Sequence, residues 1–444
     1  MKDLFLSECR RFRTVALLAA SVHLILLLLA SRMTETLQMG WREQMVFLVA
    51  CAVAGLAFAV TQFNTHRQPS RWLWLLHRPL PRSRIFGALS LASLALLAFA
   101  IGLPVLLAVI GNDRFTGRTV DARHYLIPLH LLLTSFIAWL GGAYLMLSGR
   151  RSAFVVLFVP ALLCWHLASA GALLVPALLG VAMMAALAYT AFAPDRMAPP
   201  STPAALLAAG IPLVLGCYFV LLWGASIAFQ SGQMLLGVSP LNQPTPPSGG
   251  YIEMVRADGR TNLQRALAAS SDPRAAHWRR QVALLDIHRM RPQWLSLPVR
   301  GQVANFQKLQ WFDTTRNIVW TFSHDRMLFE GRDGHTDAPR GWLGQGGMDD
   351  LRPFPAVPAM AGKYFHTAQL MLEMDPDTNR AHKLISVPAP ETLAGPVLEA
   401  GRQPFVLTNQ RLLAFRQGAA QAGQPAPLEQ LYSVALPGPF GDLD

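Results

Sequence analysis

A chain of 444 residues that is 52% hydrophobic and only 14% charged, with a formal net charge of +12, points to a membrane protein with room for two or three domains. The excess charge is unevenly placed: up to Gln230 there are 17 Lys and Arg against 7 Asp and Glu, and beyond it 21 against 19. Positive charge held in short loops between apolar runs is what membrane orientation requires, so the charge balance calls for a lipid bilayer and no nucleic acid. Cys9, Cys51, Cys164 and Cys217 all lie in or beside apolar segments, which leaves the C-terminal half without a disulfide framework or a paired-cysteine metal site.

In chain order, residues 1–13 place Phe5, Cys9 and Phe12 at helical spacing, with Lys2, Arg10, Arg11 and Arg13 on other faces, as in an interfacial helix or a charged flank leading into the first span. Residues 14–230 form the transmembrane domain. Seven apolar segments are expected in it, at about Thr14–Ser31, Gln44–Phe63, Ile85–Ile110, Tyr125–Leu147, Ala153–Ala168, Ala172–Phe192 and Ala205–Phe229. The fifth is short, and with the sixth it reads as a full hairpin or a re-entrant pair. With the N-terminus inside, twelve Lys and Arg fall on cytoplasmic loops and five on outer ones, and an odd number of spans exports the C-terminus.

Residues 231–250 read as a linker, ending in the Pro/Gly/Ser stretch Leu241–Gly250. Residues 251–444 form a periplasmic domain, helical at first and then β-rich. Helical character covers Thr261–Met290 and is restarted at Asp272-Pro273. Strands are predicted at Asn317–Phe322, Arg326–Glu330, Gln369–Met374, His382–Val387, Pro404–Leu407 and Arg411–Phe415. The turns Asp313–Arg316 and Asp375–Arg380 are either unrelated or mark a repeat, in which case the domain is built from propeller-like blades of about 40 residues, too few to close a ring. The fold class is thus a polytopic α-helical membrane domain of about seven spans followed by an extracytoplasmic α+β or mostly β domain, partial and propeller-like at most.

No residue is assigned to catalysis, cofactor or metal. There is no P-loop, HExxH or GxSxG pattern. The predicted spans hold no Asp, Glu, Lys or Arg, and only His23, His130 and His166, which read as packing residues before they read as metal or haem ligands. Pro104, Pro128, Pro160, Pro176 and Pro212 are tolerated in such helices. Ser323-His324-Asp325 cannot form a triad among adjacent residues, and His324-Asp325 reads as a hairpin turn. Gly341–Gly347 is glycine-rich but has no following helix to build a phosphate site.

The longest polar interruption is Thr65–Arg84. It carries Arg67, Arg71, Arg78, Arg82 and Arg84 and no acid, and frames the apolar patch Trp72, Leu73, Trp74, Leu75 and Leu76 before Pro79, Leu80 and Pro81. Anchoring of the tryptophans in the interface is the plain reading of that patch. The run Leu75-Leu76-His77-Arg78-Pro79-Leu80-Pro81-Arg82-Ser83-Arg84-Ile85, with the helix before the first span, resembles the coupling-helix region of the ABC-2 type transporter permeases. The resemblance covers roughly the first half of the chain, which lacks the acidic residues often found upstream in that loop and adds a span and a large outer domain.

It implies that this loop docks on a separate ABC ATPase subunit, which binds ATP and Mg, and that the permease pairs with a second copy or a relative. The chain itself is then no enzyme. It resides in the bacterial inner membrane, N-terminus cytoplasmic and C-terminal domain periplasmic, and moves an unidentified substrate. The alternative is a membrane-anchored envelope assembly or sensing protein that acts through its periplasmic domain.

Overall fold

The computed structural model describes residues 1–65, 72, 79–148, 150–159, 169–193, 201–239, 245, 248–288, 297–304, 308–361, 364–375, 380–395, 397–400, 403–417 and 428–436. The chain forms two compact units, one of Met1–Tyr218 with Leu295–Ser386, the other of Phe219–Trp294 with Val387–Asp444. The first therefore combines most of the apolar segments, up to Tyr218, with the first half of the β region.

Six helices among the described residues are long and apolar enough to cross a membrane: α1 (Lys2–Met33), α2 (Trp41–Asn64), α3 (Arg82–Phe115), α4 (Ala122–Leu147), α5 (Ala170–Ala191) and α6 (Pro203–Leu235). This is compatible with a multi-pass membrane protein. The predicted interfacial helix is not a separate element, because α1 runs unbroken for 32 residues, about 48 Å at 1.5 Å per residue. Its buried face is Leu4, Glu8, Phe12 and Ala16, an i, i+4 row, so Phe5 and Cys9 stand half exposed beside it. The last helix likewise continues through the start of the predicted linker to Leu235.

Of the fifth predicted span, residues 151–159 are described, and Arg151–Phe158 forms a 3-10 helix in which the Val159 N–H reaches the carbonyl of Val156. Pro160 follows in the sequence and has no N–H to give that carbonyl in the α pattern. Residues 160–168, with Cys164 and His166, lie outside the described residues. A proline also shapes α3. The chain makes a π turn at Ala98–Gly102 just before Pro104. In a regular helix residue 104 would serve the Ala100 carbonyl, and instead His23 Nδ1 from α1 lies 3.2 Å from that oxygen.

The central helix is α4, 83% of whose most apolar stretch is buried. Its neighbour α2 approaches so closely that a Cβ on Gly55 would sit 2.0 Å from the Ser135 carbonyl oxygen, which reserves the position for glycine. The ends of the 26-residue α4 fix a direction. Ser148 donates its N–H to Tyr144 at the C-terminal end. Ser169 bridges to Gln302, whose carbonyl oxygen accepts from Arg123 in the first turn. Residues 148 and 169 therefore lie at opposite ends of a helix about 39 Å long.

In the same unit, two antiparallel sheets each run in sequence order. They are β1 (Gln310–Asp313), β2 (Ile318–Ser323), β3 (Leu328–Asp333) and β4 (Pro339–Leu343), then β5 (Ala359–Ala361), β6 (Tyr364–His366), β7 (Leu370–Asp375) and β8 (Arg380–Ser386). Alternation puts Ile318, Trp320 and Phe322 of β2 inward, and they share one core with Phe329, Leu343, Phe365, Leu372 and Met374. The two Asp turns compared in the sequence hold different places in these sheets. The Asp313 turn joins first and second strands, whereas Asp375 and Arg380 flank the link between third and fourth, whose residues 376–379 are not described. The turn that resembles Asp313 in hydrogen bonding is Asp333, as each carboxylate accepts from the N–H groups two and three residues on.

The second unit holds three short helices, α7 (Tyr251–Arg256), α8 (Gly259–Ala269) and α9 (Ala275–Val282). Asp258 starts α8 by accepting from the Thr261 N–H at 2.6 Å. It also holds a third antiparallel sheet, again in sequence order, of β9 (Leu398–Ala400), β10 (Gln403–Leu407), β11 (Arg411–Gln417) and β12 (Leu428–Ala435).

Candidate functional site: the two anchored ends of the helical layer

A helix leaves its first N–H groups and last carbonyls without partners, so whatever satisfies them governs how the helix is held. In the first unit the two ends of α4 and α5 are served by different chemistry.

At the N-terminal ends the partners come from the β region. Asp121 is the N-cap of α4 and forms a reciprocal box with His124, whose Nδ1 accepts from the Asp121 N–H at 2.8 Å. The proton on that ring is therefore on Nε2, which donates to the Leu37 carbonyl at 3.0 Å. The carboxylate of Asp121 reaches across 202 residues of sequence to the tip of the β2–β3 hairpin. It accepts from Ser323 Oγ at 2.7 Å, the His324 N–H at 3.0 Å and the Asp325 N–H at 3.4 Å, with Arg123 Nε 3.4 Å away. The hairpin answers: Asp325 Oδ2 accepts from the Ala122 N–H at 2.7 Å. Two carboxylates thus face the positive end of α4.

The loop before β1 completes the junction. The Gly301 carbonyl accepts from the Ala170 N–H, the first of α5, at 2.8 Å, and the Gly301 N–H donates to His324 Nδ1 at 3.0 Å. Gly301 has φ +73°, which suits glycine. Arg123 donates to the Gln302 carbonyl at 2.6 Å and to Gln38 Oε1 at 3.2 Å, while Arg300 donates to the carbonyls of His324 and Asp325 at 3.0 and 2.9 Å. The centre of the cluster is dry, with Asp121 1% exposed, Arg123 4%, His124 0% and His324 1%, while Ala122, Arg300 and Asp325 lie at its exposed edge.

Burial holds His324 neutral, and the Arg123 guanidinium adds to the effect, lowering its pKa from 6.5 to about 3. Burial opposes ionisation of Asp121, but the Ser323 hydroxyl, Arg123 and the His324 N–H outweigh it and hold the carboxyl below its ordinary value. A second contact lies alongside. Gly117 donates to Asp337 and Thr119 to Glu330, and a Cβ on Gly117 would stand 2.4 Å from Arg332 Nη1.

At the opposite ends an indole and one guanidinium both donate to backbone carbonyls. Trp72, 2% exposed, donates its indole N–H to the Ala193 carbonyl at 3.1 Å and meets Phe192 edge-on at 5.0 Å. Arg82 donates through Nε, at 3.0 Å, and Nη2 to the Phe192 carbonyl just past the end of α5. Close by, Gln62 joins four helices: its amide donates to Glu8 at 3.2 Å, and its oxygen accepts from Ser93 at 2.8 Å and Trp139 at 3.0 Å.

Of the predicted loop residues, Trp72 and Arg82 are brought together on the end of α5. Pro79, Leu80 and Arg84 lie on or near the surface. Arg71, Leu73, Trp74, Leu75, Leu76 and Arg78 lie outside the described residues. Trp72 is thus packed within its own chain. His324 and Asp325 do form the hairpin turn, and sequence reasoning missed their partner Asp121. The one signal was an acid three residues ahead of a histidine at the start of an apolar run.

The glycine-rich turn at 341–347 is closed on itself, since the N–H groups of Gly344, Gln345, Gly346 and Gly347 all donate to backbone carbonyls. No cradle of free N–H groups is left there for a phosphate. Among the described residues, no group of three or more His, Cys, Asp or Glu is placed to hold a metal ion. Compared with protein-family models, curated proteins and solved structures, the chain finds no match.

Proposed function

We propose that the chain is the membrane-spanning permease subunit of an ABC-2 type transporter, moving a substrate across the bacterial inner membrane with a separate ATPase subunit that binds ATP and Mg. The observation that carries this reading is the tie between the loop joining α2 to α3 and the far end of α5, made by Trp72 on Ala193 and by Arg82 on Phe192. A loop held at both its own helices and a third can pass a push from a docked motor into the spans, which a freely hanging loop cannot. With residues 148 and 169 at opposite ends of α4, the reading has seven crossings, the N-terminus in the cytoplasm and the sheets outside.

Because Trp72 is packed internally, docking falls to the outward residues of the loop. Arg84 is exposed and offers its charge to an acidic rim on the motor. Co-purification with the ATPase of a neighbouring reading frame, and loss of transport-coupled hydrolysis in Arg84→Glu with the complex intact, is the expected result. Failure to recover any ATPase, or tags at the two chain ends reporting one compartment, defeats the reading.

A second reading, a membrane-anchored envelope sensing or assembly protein, rests on a cleft of about 430 Å³ in the β region. It is lined by Gln369, Lys383 and Ser386 above Leu372 and Ala381. Full function after scrambling of Thr65–Arg84 favours this second reading over the first.

A further inference from the structure

We propose that the contact between the β2–β3 hairpin tip and the start of α4 is an acid-released latch, with His324 as its sensor and Asp121 as the residue it holds in place. The geometry leaves a second proton on His324 nowhere favourable to go. In the docked state its Nδ1 accepts from the Gly301 N–H, so the ring's own proton is on Nε2, a buried atom with no hydrogen-bond partner. Protonation would turn Nδ1 from acceptor to donor and set it against the Gly301 N–H, 3.0 Å away.

The groups facing the ring oppose the charge as well. From α4 come Arg123 and the neutral ring of His124, and from the loop before β1 comes Arg300, whose guanidinium donates to the carbonyls of His324 and Asp325. The anions nearby are Asp121 and Asp325. The first already accepts from Ser323, His324 and Asp325 and pairs with Arg123, and the second accepts from the Ala122 N–H. Undocking is the route that relieves the added charge, because it returns the imidazolium to water.

The same step frees the first N–H of α4, which Asp325 serves, and loosens Gly301, whose carbonyl serves the first N–H of α5. Both helices lose their outer anchor together. The latch is a property of this junction and holds whether or not the chain is a permease.

Release follows from linkage. The docked ring resists protonation and the undocked ring takes it up at the ordinary value of 6.5, so docking is full above that pH and weakens as pH falls, about tenfold per unit for one histidine.

Hydrogen exchange of the full-length protein in detergent micelles, corrected for the intrinsic pH dependence of exchange, tests it. The amides of Ala122, Gly301, His324 and Asp325 are expected to lose about sixteenfold protection between pH 6.5 and 5. Phe322, whose N–H is bonded to the Leu309 carbonyl just before β1, is expected to keep its protection. His324→Asn places an oxygen where Nδ1 stood and carries no titrating group, and it is expected to flatten the response. Flat protection at the four amides in the wild type, equal loss at Phe322, or an unflattened response in a folded Asn variant each overturns the proposal. The wild-type measurement decides even if that variant does not fold.

Discussion

The two ends of α4 and α5 solve one physical problem in opposite ways. At the sheet end a buried carboxylate, the buried Arg123 and two buried histidines come from segments some 200 residues apart and share partners. At the loop end an indole N–H and an exposed guanidinium meet two backbone carbonyls, one residue apart in the sequence. A network of opposite charges that share partners out of water is cooperative and brittle, whereas separate donors on backbone carbonyls are additive and forgiving.

The sharpest way to break that comparison is Asp121→Ala. It leaves Arg123 buried without its anion and the N–H groups of His324 and Asp325 without an acceptor. A loss of about 3–5 kcal/mol is expected, read by thermal unfolding in detergent. A cost no larger than that of a change at Trp72 would mean that the network is not the stronger anchor.

Acid is the next largest lever, and it acts on one end only. The folded His324 ring has its pKa lowered from 6.5 to about 3, so below pH 6.5 the unfolded chain binds a proton that the folded chain does not. Its share of stability is therefore full above pH 6.5 and falls as pH drops towards 3, by about 2 kcal/mol at pH 5. The Trp72 contact at the loop end is a neutral indole N–H on a backbone carbonyl. Crosslinking of cysteines placed at the two ends, followed from pH 7 to 5, is expected to fall at the sheet end and stay level at the loop end.

Trp72→Phe then measures the loss of the indole N–H. The ring contact with Phe192 is kept and the hydrogen bond to Ala193 is lost, for about 1 kcal/mol with no pH dependence. A loss several times larger would show that the loop end is as cooperative as the junction.

What the sequence revealed follows the same division. The apolar helices were legible because a run of some twenty apolar residues has few other uses. The six strands predicted from β-branched and aromatic runs all appear, with ends shifted by up to three residues. β1, β4, β5, β6, β9 and β12 were missed, being short, interrupted by Pro or Gly, or, as in Leu428–Ala435, without a clear apolar face. The junction was not legible, because Asp121 and Arg123 read as loop charges until the fold brings Ser323 to them. Nor does a short apolar patch tell which of its residues face inward. Trp72 turns to Phe192 and is spent on its own chain, just as the buried row of α1 runs through Glu8 and not through Phe5 and Cys9.

The smallest effect is expected at Arg82, and its size follows from where the side chain lies. The guanidinium donates to the Phe192 carbonyl at the negative end of α5, but it is exposed to solvent. A cation at a helix C-terminus is worth about 0.3–1 kcal/mol at low salt, and ions screen it within about 10 Å at 0.1 M. Arg82→Gln is therefore expected to cost under about 1 kcal/mol, and to cost less as salt is added, whereas Trp72→Phe costs the same at any ionic strength. Unfolding measured for both variants at low and high salt separates the two. If Arg82→Gln proves large and insensitive to salt, the guanidinium belongs to a buried cluster, and the contrast between the ends is one of residue type and not of cooperativity.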